Sequence, residues 1–172
     1  DDSLEPAEVA ALADAGLTAY HAAAKVAAVT RPGDYCVVIG AGGLGHIGIQ
    51  VLAAISGVTM IVVDQNPDAV ELAMEIGAHH GIVADGTHVK KVVELTGGHG
   101  AEAVLDFVGE GGATSEGVAM LRQAGNYLVV GYGENIDVPT IDIVSSEINF
   151  IGNLVGSYND LGELMALAAQ GK

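Results

Sequence analysis

Tryptophan is absent from this 172-residue chain, aromatic residues make up only 4% of it, and it holds 4 prolines and a single cysteine. One thiol cannot close an internal disulfide, and it rules out a cysteine-rich zinc site within the chain. Cys36 lies in an apolar run, where a small thiol is expected to be inert core. Positive charge is also scarce: 6 Lys+Arg stand against 22 Asp+Glu, a formal net charge of −16. That sign repels phosphate backbones and anionic lipid heads, so no nucleic acid and no membrane partner is expected. No apolar run approaches the roughly 20 residues of a membrane span, and the acidic start, with Asp1, Asp2 and Glu5, is unlike a signal peptide. A soluble, cytoplasmic protein is expected.

Carboxylates spread along the whole chain hold water and small cations, and salt relieves their mutual repulsion. The pattern predicts a protein adapted to a high-salt cytoplasm. Its unfolding midpoint should then rise between about 0.1 M and about 2 M KCl, as the Debye length falls from about 10 Å to under about 3 Å. A midpoint indifferent to KCl contradicts this.

What the chain does have is apolar residues, 50% of the total, and 25 glycines. Strand patterns fall at Tyr35–Ile39, Thr59–Val63, Gly81–Ala84, Ala103–Phe107, Tyr127–Val130 and Phe150–Val155. Helical patterns lie between them at Leu44–Ser56, Pro67–Ile76, Val89–Thr96, Gly112–Gln123 and Asp160–Gln170. This alternation predicts successive βαβ units and an α/β fold: a doubly wound, six-stranded parallel sheet with helices on both faces. Gly77, Gly97-Gly98 and Gly125 mark helix stops, and Ser115 and Asp160 are candidate caps. An Ala-rich helical lead-in runs from Pro6 to Ala28, broken near Gly16.

Directly after the first strand stands Gly40-Ala41-Gly42-Gly43-Leu44-Gly45, a G-x-G-x-x-G. Gly40 suits a tight turn, Gly42 lets backbone approach a pyrophosphate, and Gly45 permits close packing of helix on strand. The next helix would aim its free N–H groups and positive end at the phosphates. The second strand ends in Asp64, about 20 residues beyond the motif, where a carboxylate accepts from both hydroxyls of an adenosine ribose and repels a 2′-phosphate. No Lys or Arg follows closely to receive such a phosphate, so the cofactor expected is NAD(H), not NADP(H). A methyltransferase using S-adenosylmethionine shares the glycine turn and the acidic strand end. Six regular units fit the dinucleotide (Rossmann) fold better, because that fold is two mononucleotide halves side by side. The second half runs from Leu105-Asp106-Phe107-Val108-Gly109 to Val129-Val130-Gly131, whose strand-end glycines leave room for the second nucleotide.

Together with Ala15-Gly16-Leu17-Thr18-Ala19-Tyr20-His21-Ala22, Gly33-Asp34, Ile76-Gly77-Ala78 and Gly152–Gly156, these motifs resemble the medium-chain, zinc-dependent alcohol dehydrogenases over nearly the whole chain. The resemblance is to their coenzyme-binding domain only. It implies a helical lead-in at 1–30 carrying the cleft segment and an NAD-binding domain at 31–172, with the catalytic domain absent from this chain. It also implies that Gly43 and Leu44 offer N–H groups to the pyrophosphate, Asp64 takes the ribose, Gln65 flanks the adenine, and Val108 and Gly109 line the cleft. The Val130 carbonyl with the Asn153 and Val155 amides would hold the carboxamide, and Thr18 would pack beside the nicotinamide.

Asp14, one helical turn before Thr18, stands where relatives place a Cys or Asp ligand of catalytic zinc, whose open position takes an alcohol oxygen. Asp14 and Thr18 are thus the catalytic candidates, although an aspartate in an Ala-rich helix also suits a solvated turn. The partners implied are NAD(H), an alcohol with its aldehyde or ketone, and a second copy of the chain through the edge Asn149–Val155. A zinc-free reductase of the quinone reductase kind and a non-catalytic NAD-sensing module are the alternatives. The six histidines offer no second metal site: adjacent His79 and His80 diverge, and His21, His46, His88 and His99 read as packed or solvated.

Overall fold

Valine and isoleucine runs favour a pleated surface buried on both faces, and here they build six strands. The computed structural model describes residues 4–172, so Asp1 and Asp2 lie outside the described residues. The strands are β1 (Tyr35–Ile39), β2 (Thr59–Asp64), β3 (His80–Val83), β4 (Ala101–Asp106), β5 (Leu121–Val129) and β6 (Asn149–Gly152). All pairs are parallel, in the order β3-β2-β1-β4-β5-β6. This is the doubly wound α/β sheet expected from the alternation. Strand order reverses between β1 and β4, which pair from Cys36↔Ala103 to Ile39↔Asp106, and a crevice opens beyond their carboxyl ends.

The helices are α1 (Pro6–Val9), a 3-10 turn (Ala10–Ala13), α2 (Ala15–Val29), α3 (Gly45–Ile55), α4 (Pro67–Glu75), α5 (His88–Leu95), α6 (Ala113–Met120), α7 (Thr140–Ser146) and α8 (Tyr158–Ala169). The period of two along the strands sorts side chains into two core layers. Cys36, Val38, Met60, Val62 and Leu105 join Val26 of α2, Ile49 and Leu52 of α3 and Leu164 of α8. Val37, Ile39, Ile61, Val63 and Val104 join Val92 of α5 and Met120 of α6 on the other face. Burial pushes the Cys36 thiol up to about 12, which leaves it an inert core residue.

The lead-in breaks at Asp14, two residues before Gly16, which is itself buried inside α2, where a Cβ would crowd Leu12 and Leu164. Ser115 caps nothing, because α6 starts after Gly112 without a side-chain cap. Asp160 is the third residue of a capping box whose N-cap is Ser157. Gly125 does not stop a helix either. The chain passes from Met120 straight into β5, where Ala124 takes φ 55 beside a register shift against β4. Strand β6 ends at Gly152, short of Val155, because Val155 turns to φ 47 and leaves the sheet. Helix α7 was not expected, since its Ile141 and Val144 stay exposed and give no buried stripe.

Candidate functional site

Beyond β1 the backbone reverses at Gly40, with φ +87, and a Cβ there would lie 2.7 Å from a methyl of Val108. At Gly45, the first residue of α3, a Cβ would collide with the Gly40 carbonyl, so the helix can start this close to the strand only on glycine. Between them, Gly42 and Gly43 are exposed, and nothing lies within 4 Å of where their Cβ atoms would stand. Helix α3 has no side-chain cap and no acidic residue in its first turn. Its leading N–H groups and positive dipole end therefore face a glycine-walled space suited to an anion.

Asp64 closes β2 and reaches back to this loop. Its Oδ2 accepts the Ala41 N–H at 2.7 Å and its Oδ1 accepts the Asn66 N–H at 2.8 Å. The carboxylate is thereby fixed in orientation, while each oxygen keeps a second lone pair for another donor. Gln65 beside it is exposed.

A second aspartate organises the other half. Asp106 is fully buried at the end of β4, where its Oδ1 accepts the N–H groups of Val108 and Gly109 at 2.8 and 3.0 Å. Its Oδ2 accepts the Tyr127 hydroxyl at 2.6 Å, and burial together with this carboxylate pushes the Tyr127 phenol well above its ordinary range. The turn so held brings Gly109 against the Gly131 backbone, where a side chain on either would collide.

Two clefts flank the glycine loop. One, of about 530 Å³, is lined by Gly40, Val63, Asp64, Gln65, Val108 and, on the helical side, His88 and Glu116 among others. The second, of about 610 Å³, is lined by Asp14, Thr18, Leu44, Val130, Gly131, Asn153 and Val155 among others. Among the described residues, no lysine or arginine lines either one. Among the described residues, two buried side-chain polar atoms lack a partner, His88 Nδ1 and Asn153 Oδ1, and each belongs to a residue lining one of the clefts. Leaving such an atom unpaired costs about 1–3 kcal/mol, which marks both as places where a ligand donor or water belongs. The Asn153 backbone N–H is already donated to the Val129 carbonyl at 2.9 Å, so the atom it offers the cleft is the side-chain oxygen.

Asp14 is exposed at the junction of the 3-10 turn and α2. Its backbone carbonyl accepts both the Thr18 N–H and the Thr18 hydroxyl, each at 3.0 Å, and its carboxylate caps nothing. Among the described residues no three His, Cys, Asp or Glu side chains are placed to hold a metal. These residues alone therefore do not make a zinc site. The histidines are engaged separately: His21 Nδ1 lies 3.0 Å from Asp160, His46 Nδ1 lies 2.8 Å from the Gly42 carbonyl, and His79 Nδ1 accepts the Met60 N–H.

The fold thus brings the candidates together around one loop, apart from Gly109, which packs beneath the clefts without lining them. Sequence reasoning gave no role to Asp106, Tyr127, His88 or Glu116. An aspartate closing an apolar strand three residues before a glycine was a usable signal for Asp106. His88 and Glu116 left none, because they meet from different helices.

The profile described as zinc-binding dehydrogenase matches residues 43–170. An NAD-dependent alcohol dehydrogenase of Sulfurisphaera tokodaii is 38% identical over 172 residues, which cover 98% of this chain and 49% of that protein. An alcohol dehydrogenase of Geobacillus stearothermophilus is 32% identical, with 99% of this chain and 50% of the relative covered. Among solved structures, the alcohol dehydrogenase of Aeropyrum pernix superposes with a TM-score of 0.93 at 43% identity, covering 95% of this chain and 48% of its own. The D-arabinose dehydrogenase of Sulfolobus solfataricus gives 0.87 at 29% identity, covering 98% and 53%. The chain spans about half the length of the curated relatives it matches. It belongs to the zinc-binding dehydrogenase family, the medium-chain alcohol dehydrogenases, and corresponds to their Rossmann-type coenzyme-binding domain.

Proposed function

We propose that this chain is the NAD(H)-binding half of a zinc-dependent alcohol dehydrogenase, which moves a hydride between an alcohol and NAD. The observation that carries the reading is Asp64, a carboxylate at the end of β2 tied to the glycine loop by the Ala41 N–H at 2.7 Å. A ribose whose hydroxyls donate to that carboxylate has its phosphates beside Gly42, Gly43 and Leu44, where backbone N–H groups and the start of α3 hold them without a cation. Gly40 and Gly45 set the loop, Gln65 flanks the adenine, and Val108 walls its cleft above the turn that Gly109 makes. In the second cleft Leu44 and Thr18 face the nicotinamide, while the Val130 carbonyl, Asn153, Val155 and the backbone beside Gly131 hold the carboxamide and decide which ring face is presented. NAD supplies the hydride acceptor at its C4 when bound.

Asp14 is one zinc ligand in this reading, and the others belong to the half of the relatives' length that this chain does not span. Residues 1–30 carry that ligand across the cleft, and 31–172 form the cofactor domain. The edge strand β6, with the segment to Val155, pairs with a second copy. Alone, the chain binds NAD(H) and turns over nothing. Joined to a catalytic domain, it oxidises simple alcohols, and a zinc chelator abolishes the activity. Chelator-resistant turnover assigns it to the zinc-free reductases, and no turnover with any alcohol, aldehyde or ketone assigns it to the NAD sensors.

A further inference from the structure

The cleft that holds Asp64 contains a second polar feature on helices α5 and α6. His88, the first residue of α5, is 3% exposed yet contributes to the lining. Its Nε2 lies 3.0 Å from Oε2 of Glu116, in the first turn of α6. A carboxylate only accepts, so Nε2 carries the hydrogen of this contact, and Nδ1 is left buried with no partner. Burying an imidazole with one nitrogen unsatisfied is costly, and a carboxylate that is itself 46% exposed does not need such an anchor for its own solvation. What the anchor does is fix the direction of that carboxylate. Glu116 lines the same cleft as Asp64. Around the pair, Val63, Ala84 and Val108 supply apolar walls suited to a flat ring.

We infer that Glu116 accepts from the exocyclic amino group of the adenine, with His88 as its positioning residue, so that this cleft selects an adenine dinucleotide over one carrying an oxygen at that ring position. The inference rests on the NAD(H) reading and deepens it. An amino group donates to the carboxylate, whereas the carbonyl oxygen of hypoxanthine meets it acceptor to acceptor, and the half-exposed carboxylate turns away only by giving up its contact with the buried His88. Asp64 reads the ribose and is blind to this difference.

The test is a calorimetric titration of the 172-residue chain with NADH and with reduced nicotinamide hypoxanthine dinucleotide. NADH should bind about tenfold tighter, the size expected for one hydrogen bond to a charged acceptor. Glu116→Gln, at a half-exposed position, presents an N–H as well as an oxygen and should bring the two affinities within about twofold, chiefly by improving the hypoxanthine analogue. His88→Ala should reduce the ratio, and His88→Gln, which keeps a donor for Glu116, should restore part of it. Asp64→Ala should weaken both dinucleotides alike and leave the ratio unchanged. Equal affinities in the wild type, alongside a preference for NADH over NADPH, overturn the adenine assignment and leave the NAD(H) reading standing. A ratio that survives Glu116→Gln overturns it as well, and absence of NADH binding overturns both.

Discussion

Asp64→Ala is expected to weaken NADH binding by about tenfold to a hundredfold while leaving NADPH nearly unaffected, so that the preference between them disappears. Two losses add up for NADH. The ribose hydroxyls lose a charged acceptor, worth about 1.5–3 kcal/mol for hydrogen bonds of that kind. The Ala41 N–H loses the oxygen that now holds the glycine loop at 2.7 Å. For NADPH the same loss is offset, because removing the carboxylate also removes its repulsion of the 2′-phosphate. Among the described residues no lysine or arginine lines this cleft, so the variant gains no attraction for that phosphate and does not become an NADPH binder. Asp64→Asn keeps the size and one acceptor oxygen and should fall between the two. Fluorescence or calorimetric titration measures these ratios, and a preference unchanged in Asp64→Ala places the discrimination elsewhere.

Gly45→Ala should be the most destabilising single methyl in the nucleotide site. Its Cβ would collide with the Gly40 carbonyl, which is backbone and cannot rotate aside as a side-chain tip can. Strand β1 and helix α3 must separate to admit it, and overpacking of that kind costs about 3 kcal/mol. In urea the unfolding midpoint should drop by about 1–3 M, given slopes of about 1–3 kcal/mol per M. Gly43→Ala is the contrasting case. Nothing stands within 4 Å of its new methyl, so stability should change by less than about 1 kcal/mol while NADH affinity falls, because the methyl occupies the approach of the pyrophosphate. A Gly45→Ala protein with an unaltered midpoint would show that the close approach of helix and strand is not a constraint of this fold.

The contrast between these glycines shows what the amino-acid sequence alone makes legible. The six strands and their parallel order follow from a rhythm that physics enforces twice, through apolar residues that must be buried on both faces and through helices that must cross between parallel neighbours. The glycine loop and Asp64 were equally visible, since both sit at fixed offsets from a strand end. Interactions between elements distant in sequence were not visible. Tyr127 reaches Asp106 across a strand pair, and His88 finds Glu116 from another helix. Neither contact leaves a periodic trace in the chain. Local errors had local causes: a glycine reads as a helix stop whether it ends a helix or, like Gly125, lies within a strand. Helix α7 hid because its apolar side chains face outward, and the Ser157–Asp160 box was half found because only its acid was noticed.

The most direct measurement is a calorimetric titration of the wild-type chain with NADH and with NADPH in molar KCl. One NADH per chain, bound at least about tenfold more tightly than NADPH, is the result expected from a glycine loop and a tethered Asp64 in a cleft without cations. Equal affinities, or no binding of NADH, would contradict the assignment of this domain to NAD(H), and binding of S-adenosylmethionine in its place would assign the glycine loop to a different cofactor.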